Sequence, residues 1–342
     1  MKKVVCFGEI MLRLNPLGYK RFVQSEEFEV SYAGGEANVA VSLAQFGFQS
    51  SYVTMVPKHE IGQSAVNALN RYGVDTSNIV RGGERLGVYF VEKGASQRAS
   101  KVIYDRANSA IALAKPTDFD WHKILLGADW FHFTGITPAL GTSATQCCVD
   151  AVQVARNMGI TVSCDLNYRK KLWNKEKAGL VMSELMPFVD VCIGNEEDAE
   201  DVFGIKAEDS DIKKGSLSRA GYMSVAKRLT DRFGFKKVAI TLRGSISAND
   251  NNWSGMLYDG TNANVCFASE YPVHIVDRVG SGDSFGAGLI YALLNDRGDQ
   301  AAVDFAVAAS CLKHSIEFDF NLVTVSEVEA LMRGDASGRV QR

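Results

Sequence analysis

The chain has 342 residues, 46% of them hydrophobic and 23% charged, which is an ordinary composition for a globular protein. Its formal net charge of −3 gives no positive field that would attract nucleic acid or an anionic membrane, and no apolar run approaches the ~18 residues of a membrane helix, so we expect a small-molecule partner. The seven cysteines are odd in number and form no C-x-x-C pair, so we expect reduced core thiols and a cytoplasmic location.

Strand-like apolar runs alternate with helix-like segments along most of the chain. The first run is interpreted as a strand rather than a signal peptide, because it is short and soon meets charged residues. The predicted strands are 3–8, 51–55, 130–134, 161–165, 189–194 and 238–242. The predicted helices lie near 36–46, 60–72, 143–157, 176–186 and 219–233, and several end at Gly47, Gly73, Gly159 or Gly234. This alternation predicts a single α/β domain over 1–342, with a doubly wound, mostly parallel sheet.

Two regions interrupt the alternation. Residues 10–32 and about 85–106 are typical of short strands without intervening helices, and we expect them to form a small β-sheet lid over a binding cleft. The alternative is an extension of the edge of the main sheet. An exposed lid would also favour a homo-oligomer that pairs through it. Residues 253–276 are again strand-rich, 249–252 are expected to be a polar loop, and 283–332 are mostly helical.

The most informative segment is 277–288, Asp-Arg-Val-Gly-Ser-Gly-Asp-Ser-Phe-Gly-Ala-Gly, between a strand pattern and a helix pattern. Gly280 and Gly282 allow a sharp turn, and together with Ser281 they place backbone N–H groups at a helix N-terminus, where negative charge is stabilised. Asp283 lies beside these groups. A carboxylate base next to an anion hole is the arrangement needed for phosphoryl transfer to an alcohol. The alternative is a glycine-rich turn with Asp283 as a helix cap.

This segment closely resembles the C-terminal signature of the ribokinase-like, phosphofructokinase-B-type carbohydrate kinases. Residues 34–40, Gly-Gly-Glu-Ala-Asn-Val-Ala, resemble the N-terminal signature of the same family. The resemblance covers nearly the whole chain. It implies a ribokinase-like α/β fold with a small β lid, Asp283 as the catalytic base, and ATP with Mg²⁺ as cofactors. The resemblance also suggests a monovalent cation as an activator.

Within that family, the strings at 8–14, 104–106, 135–140 and 165–173 resemble the 2-keto-3-deoxygluconate kinases. This resemblance implies that the substrate site is lined by Gly34, Gly35, Asn38, Tyr89, Tyr104, Arg106 and Arg169. Arginine holds a carboxylate through paired N–H donors, so Arg106 and Arg169 suit a small-molecule sugar acid. Arg169 serving the ATP phosphates, and tyrosines that only pack within the lid, are the alternatives.

Neutral-sugar kinases of the family often carry an aspartate shortly after the first strand. Here the residues after Glu9 are Ile-Met-Leu-Arg-Leu-Asn, which favours an acid as substrate. Kinases acting on fructose, ribose or 2-keto-3-deoxygalactonate remain as alternatives.

By the same resemblance, the nucleotide lies against Asn195, Thr241, Arg243, Gly244, Gly280 and Gly282. Asp198 would help to order Mg²⁺ through water, in the last position of an N-x-x-E-like motif. Arg243 replaces a commoner small residue, and the stretch after Gly244 is longer than usual. Asn195 and Asp198 capping the helix that follows them is the alternative.

Proteins of other classes fit the sequence less well. Residues 282–286 match the G-x-S-x-G elbow of serine hydrolases, but the sole histidine downstream of Ser284 is His314, in a helical region. Gly8 alone does not make a nicotinamide-binding glycine motif, and the histidines have no zinc-ligand spacing. A non-catalytic sugar-binding regulator on the same fold is the remaining alternative.

Overall fold

The computed structural model describes residues 1–195, 197–206 and 219–335. The strands in this part of the chain are β1 Lys3–Phe7, β2 Met11–Pro16, β3 Phe28–Ala33, β4 Gln49–Val53, β5 Met55–Val56, β6 Val80–Arg81, β7 Gly87–Glu92, β8 Lys101–Asp105, β9 Trp130–Thr134, β10 Thr161–Asp165, β11 Val191–Asn195, β12 Lys237–Ser245, β13 Asp250–Asp259, β14 Asn264–Phe267 and β15 Tyr271–His274. The helices are α1 Gly35–Gln45, α2 Glu60–Asn70, α3 Trp121–Ile124, α4 Ile136–Ala139, α5 Thr142–Asn157, α6 Lys175–Leu185, α7 Asp198–Phe203, α8 Arg219–Phe233, α9 Ser281–Leu294, α10 Asp299–Lys313 and α11 Val325–Met332.

The large sheet has the strand order β14-β13-β12-β11-β10-β9-β1-β4, with β15 paired to β13. All pairs from β4 through β12 are parallel, whereas β13 to β15 are antiparallel additions at one edge. The prediction of a mostly parallel α/β sheet is therefore confirmed. Parallel strands end at the same edge of the sheet, so residues following β10, β11 and β12 come together there.

Helices cover both faces of this sheet. One core cluster packs α5, α6 and α8 on one face, and a second packs α1, α9 and α10 on the other. Every residue of β9 is buried, with Trp130 in the second cluster and Phe131 and Phe133 in the first. Burial on both faces explains why the central strands are continuous apolar runs rather than alternating ones.

A separate small sheet has the order β3-β2-β7-β8. Its strands fall within the two predicted regions without helices, except that β3 extends one residue further to Ala33, so the expectation of a second sheet is confirmed and an extension of the main sheet's edge is excluded. The inner side carries buried residues such as Met11, Arg13 and Tyr89, and the alternate residues Leu12, Leu14 and Phe90 point to the opposite side.

The segment after β12 differs from its prediction. Residues 249–252 were expected to be a polar loop, yet Asp250, Asn251 and Asn252 begin β13 and pair with β15, and Asn251 and Asn252 also pair with β12 on the other side. Backbone hydrogen bonds to two neighbouring strands outweigh the polarity of these side chains. Strand β12 likewise runs on to Ser245 instead of ending at 242.

The remaining expectations concern helix ends and cysteines. Gly47, Gly73, Gly159 and Gly234 all have positive φ angles, as their predicted role at helix ends requires. The seven cysteines carry free thiols, and all except Cys311 are buried. None of the helices in the described ranges is long and apolar enough to cross a membrane.

Candidate active site

The glycine loop before α9 is held in a conformation that only glycine fits. Gly280 caps the helix with φ +87°, and a Cβ atom there would lie 2.1 Å from the backbone oxygen of Asp319. Gly282 has open space where its side chain would be. The amides of the first helical turn have no partner within a helix, so this loop presents donors and the positive end of the helix dipole to one place.

Asp283 lies in that first turn, where its carboxylate is held by Asn38. The Asn38 amide donates to Asp283 Oδ2 at 2.6 Å, and Gly35 packs beside the other carboxylate oxygen. Burial raises the pKa of Asp283 to about 7, with Asp319 and Glu36 adding to the rise, while the Asn38 hydrogen bond and Arg169 oppose it. A carboxyl with a pKa near neutrality suits proton transfer at physiological pH.

Two cavities share Arg169 in their lining, and Asp283 lines one of them. The inner cavity, about 360 Å³, lies at the carboxyl ends of β10, β11 and β12. It is lined by Asp165, Asn167, Arg169, Ile193, Gly194, Asn195, Asp198, Thr241, Arg243, Trp253 and residues 278–283. The outer cavity, about 830 Å³, lies between the small sheet and the loop after β10, and its lining includes Tyr104, Arg106, Tyr168 and Arg169.

The structure thus brings together many of the residues predicted from sequence. Those in the inner cavity are Asn195, Asp198, Thr241, Arg243, Gly280, Ser281, Gly282 and Asp283. Those in the outer cavity are Tyr104 and Arg106, with Arg169 in both. Those that line neither are Gly34, Gly35, Asn38, Tyr89 and Gly244. Gly244 pairs with Asn252 inside the β12–β13 ladder, two residues beyond the predicted end of this strand at 242.

Asn195 and Asp198 have the local contacts of a helix start. The Asn195 side-chain oxygen accepts from the N–H groups of Glu197 and Asp198 at 2.8 and 3.1 Å. The two oxygens of Asp198 accept from the backbone N–H groups of Tyr168 and Asn195. Asp198 therefore has a fixed orientation at the edge of the inner cavity.

Asp165 joins Asp198 in this cavity and was not among the predicted site residues. Burial raises the pKa of Asp165 well above its ordinary value, and the carboxylates of Asp198 and Asp283 raise it further. The pKa of Asp198 is also raised by burial. Closely placed carboxylates of this kind are stabilised by a cation, and Mg²⁺ prefers oxygen ligands together with water. Asp165 and Asp198 therefore fit a divalent cation, bound directly or through water.

Arg106 and Arg169 reach the outer cavity from opposite sides, but their charges are not equally available. Arg106 is buried and donates through Nε to Glu9 at 2.7 Å in a salt bridge, and Ser109 donates to the other oxygen of Glu9. Arg169 is exposed and donates to the backbone oxygen of Tyr168. Arg169 faces both cavities and forms no salt bridge within the described residues, and its charge lowers the pKa of the three carboxyl groups that line the inner cavity.

The tyrosines of the small sheet stack on each other, with ring centroids 5.9 Å apart. Tyr104 is 38% exposed and lines the outer cavity, and the Arg106 guanidinium lies over its ring. Tyr89 is buried and donates its hydroxyl to Asp319 at 2.9 Å. In this conformation, Tyr104 faces the cavity and Tyr89 supports it from below.

A buried ionic network ties the small sheet to the glycine loop. Arg13 of β2 is fully buried and donates to Asp319 at 2.5 Å and to Asp277 at 2.6 Å. Asp277 begins the loop, and the backbone oxygen of Asp319 is the atom that packs against Gly280. Tyr89 adds its bond to Asp319. The sequence gives no indication of this network, because Arg13 is one polar residue in an alternating strand pattern.

Glu36 is a second buried acid that the sequence analysis did not single out. Its Oε1 atom accepts from Thr134 N–H at 2.9 Å and from the Thr137 hydroxyl at 2.6 Å, and burial raises its pKa. A Cβ atom at Gly8 would collide with this carboxylate. In the sequence, Glu36 was marked as a candidate site residue by its position inside the 34–40 motif.

The chain as a whole is similar to known proteins. Residues 1–315 match the family described as "pfkB family carbohydrate kinase". A crystal structure of 2-dehydro-3-deoxygluconokinase from Thermotoga maritima is 52% identical, covers 97% of this chain and 98% of its own, and superposes with a TM-score of 0.93. The 2-dehydro-3-deoxygalactonokinase of Haloferax volcanii is 30% identical over 336 residues, with 98% of each chain covered. A ribokinase II from E. coli, in complex with ATP and Mg²⁺, shares the fold at 19% identity and a TM-score of 0.81, over 98% of this chain and 100% of its own.

Proposed function

The chain belongs to the pfkB family of carbohydrate kinases and is therefore a phosphotransferase, and we propose that it transfers the γ-phosphate of ATP to a sugar acid. The proposed acceptor is the terminal hydroxyl of 2-dehydro-3-deoxygluconate, which is also called 2-keto-3-deoxygluconate. The observation that carries this proposal is the position of Asp283, with a pKa of about 7, in the first turn of α9 between the amides of the glycine loop and Arg169. The gluconate substrate is preferred to its galactonate epimer because the relative named for the gluconate is the more similar, at 52% against 30% identity.

In the proposed mechanism, Asp283 accepts the proton of the attacking hydroxyl. The Asn38 amide holds one carboxylate oxygen and leaves the other facing Gly35 and the cavity. The amides of residues 280–283 stabilise the negative charge of the transferring phosphoryl group, as donors at a helix N-terminus do. No side chain needs to form a covalent bond to phosphate, because positioning and charge stabilisation account for most of the rate in this chemistry.

Asp165 and Asp198 are the residues that we propose to hold Mg²⁺, with Asn195 orienting Asp198. When bound there, the ion would supply charge neutralisation for the phosphates. This extends the original expectation, which named Asp198 alone. An activating monovalent cation stays a prediction of the family resemblance.

The acid group of the sugar is proposed to bind Arg169. Glu9 already neutralises Arg106, so Arg106 is better suited to donate to neutral oxygens or to fix the ring of Tyr104. Arg169 forms no salt bridge with a residue that the structure describes, and it lines both cavities. A carboxylate bound there would leave the far end of a six-carbon chain free to reach Asp283.

The proposal is tested by measuring ADP release over about twenty sugars and sugar acids, including both epimers. We expect 2-dehydro-3-deoxygluconate to give the highest kcat/KM. In Arg169→Gln, the KM for the acid should rise about tenfold or more, the loss typical of a charge-assisted hydrogen bond. Arg156→Gln is the matched control, since Arg156 is also exposed but lies on α5 and pairs with Asp190. A higher kcat/KM for ribose or fructose would overturn the assignment of an acid substrate.

We further propose that the small sheet acts as a lid and pairs with the lid of a second copy of the chain. Its outer side carries an apolar row across all four strands, formed by Val30, Leu14, Phe90 and Ile103 in matching register. At the two ends of this row, Val30 is 57% exposed and Ile103 is 41% exposed, and a contiguous exposed apolar row of this kind is typical of an interaction surface.

This pairing predicts a dimer in sedimentation velocity at micromolar concentration. Val30→Glu should shift the protein to a monomer, because a two-fold symmetric interface contains each substitution twice. Leu180→Glu, at an isolated leucine of α6 that is 71% exposed, should leave the dimer intact. A monomeric wild-type protein would refute the pairing without affecting the kinase proposal.

A further inference from the structure

Helix α10 ends on a buried lysine that the mechanism above does not use. Lys313 is the last residue of this helix, and its side chain is 0% exposed. Burial disfavours an ammonium ion and lowers the pKa of Lys313, and the charge of Arg13 acts in the same direction. The acids Asp277, Asp319 and Asp283 act in the opposite direction and favour the charged form. A lysine in such a place needs fixed partners for its N–H groups.

The hydrogen-bond partners of the Lys313 ammonium are backbone oxygens. It donates to the oxygen of Ile316 at 3.1 Å and to that of Asp277 at 3.4 Å. Among the residues that the structure describes, Lys313 forms no salt bridge, and it lines neither cavity. The ammonium therefore joins the turn after α10 to the residue that begins the segment 277–288.

Asp277 is held on several sides, and Lys313 is one of them. Its Oδ2 atom accepts from Arg13 of the small sheet at 2.6 Å, and its Oδ1 atom accepts from the N–H of Val279 at 3.1 Å. The backbone oxygen of Asp277 accepts from Lys313. Because the anion hole begins three residues later, at Gly280, the position of Asp277 sets the position of the loop amides.

Helix α10 contacts this segment at a second point, one turn earlier. The Ser310 hydroxyl donates to the backbone oxygen of Ser281 at 2.7 Å. Residues three apart lie on the same face of a helix, so Ser310 and Lys313 hold the end and the beginning of the glycine loop from one face. His314, the next residue, adds no charge there, because burial lowers its pKa to about 4.

Lys313 also belongs to a group of buried charges beside the proposed base. Arg13 binds both Asp277 and Asp319 directly, and Lys313 lies within the electrostatic range of both acids. The attraction between Lys313 and Asp283 is mutual, so the ammonium favours the ionised form of Asp283. Removing this charge would leave the acids with less compensation.

The other charged groups around Asp283 come from several elements. Burial is the largest cause of its raised pKa, Asp319 and Glu36 of α1 add to the rise, and Arg169 opposes it. Asp165 at the end of β10 interacts with Asp283 as well. The base therefore lies among more acids than cations, and losing one cation should make its ionisation harder.

We propose that Lys313 is a positioning residue for phosphoryl transfer, whose buried ammonium fixes the start of the glycine loop against α10 and stabilises the carboxylate of Asp283. The proposal rests on the proposed kinase function of the same site. Lys313 acts through Asp277 and Asp283, and it needs no contact with either substrate.

The first test is the kinetics of Lys313→Met, which keeps the length of the side chain and removes its charge and N–H donors. We expect kcat to fall about tenfold or more, the scale of a lost charge-assisted hydrogen bond. The KM for the sugar acid should stay unchanged, because Arg169 and the outer cavity are not altered. The inflection of kcat/KM should move to higher pH, since Asp283 then loses a positive charge that favours its ionised form.

The second test needs no enzymatic activity. Amide hydrogen exchange, followed by mass spectrometry on the full-length protein, reports how often the backbone of 277–285 opens. In Lys313→Met we expect this segment to exchange about tenfold faster than in the wild type, because one charged contact that holds it is lost.

Lys3→Met is the matched control. The ammonium of Lys3 likewise donates to two backbone oxygens, those of Ile124 and Leu126 at 3.5 and 2.9 Å, but it lies at the start of β1. This variant should keep the wild-type kcat, the wild-type inflection and the wild-type exchange of 277–285.

Wild-type kcat and inflection in Lys313→Met would overturn the proposal, even if the protein is an active kinase. A lower kcat with an unchanged inflection would indicate a structural role and would count against it equally. If Lys313→Met fails to fold, Lys313→Gln, which keeps an N–H donor without the charge, decides by the inflection alone. Faster exchange of 277–285 in a protein that phosphorylates no sugar or sugar acid would support the positioning role and refute the proposed function.

Discussion

Replacing Asp283 with asparagine should lower kcat by about 10²–10⁴-fold, the usual contribution of a positioned base. Asparagine keeps the size of the side chain and can still accept from Asn38, which now donates at 2.6 Å. The sugar-binding residues are untouched, so the affinity for the sugar acid, measured by calorimetry without nucleotide, should change little. The thermal midpoint should not fall, because the substitution removes a carboxylate whose pKa burial has raised.

The pH dependence of kcat/KM is a second test of Asp283 as the base. Asp283 acts as a base only when deprotonated, so kcat/KM should rise with pH and level off above its pKa of about 7. The Asn variant should lose this rise. Asp150→Asn, at a partly exposed acid of α5, is the control and should retain it. Near-normal turnover in Asp283→Asn, or a wild-type inflection at the ~4 of an ordinary carboxyl, would rule out Asp283 as the base.

Replacing Arg13 with methionine should lower the free energy of unfolding by about 3–5 kcal/mol, because it leaves Asp277 and Asp319 buried without their common partner. Arg13 is fully buried, and its hydrogen bonds to these two carboxylates measure 2.6 and 2.5 Å. Urea denaturation followed by fluorescence measures the change.

The control for this prediction is Arg98→Met. Arg98 also pairs with a buried acid, Glu92, but it is itself 32% exposed, and Arg21 contributes a second partner to the same carboxylate. Its loss should cost roughly 1 kcal/mol or less, the range of partly exposed pairs. Equal stability losses in the two variants would argue against a special role for Arg13 as the link between the small sheet and the glycine loop.

The link between sheet and loop bears on how the site is assembled. Asp319 accepts from Arg13 and Tyr89 of the small sheet, while its backbone packs on Gly280 and its charge raises the pKa of Asp283. The small sheet is therefore attached to the loop that carries the proposed base, in addition to facing the outer cavity. A change in the position of this sheet would act on the environment of Asp283.

Much of the fold and part of the site followed from the sequence alone. The six central strands and the helices between them were predictable because burial on both faces leaves continuous apolar runs, and left-handed glycines mark helix ends. The segment 277–288 could be recognised because its proposed function depends on local geometry: Gly280 has φ +87°, and Asp283 follows within the same turn. Chemistry that is built from neighbours in the chain leaves a sequence pattern.

Only the tertiary structure decided which charged residues pair with each other. Glu9 meets Arg106 and Arg13 meets Asp319, each across a long stretch of chain. Long-range packing sets which charges neutralise each other and which remain free, and an arginine looks the same in the sequence in either case. For that reason the sequence determined the α/β fold and the candidate base, whereas the structure decided that Arg106 pairs with Glu9 and that Arg169 forms no salt bridge within the described residues.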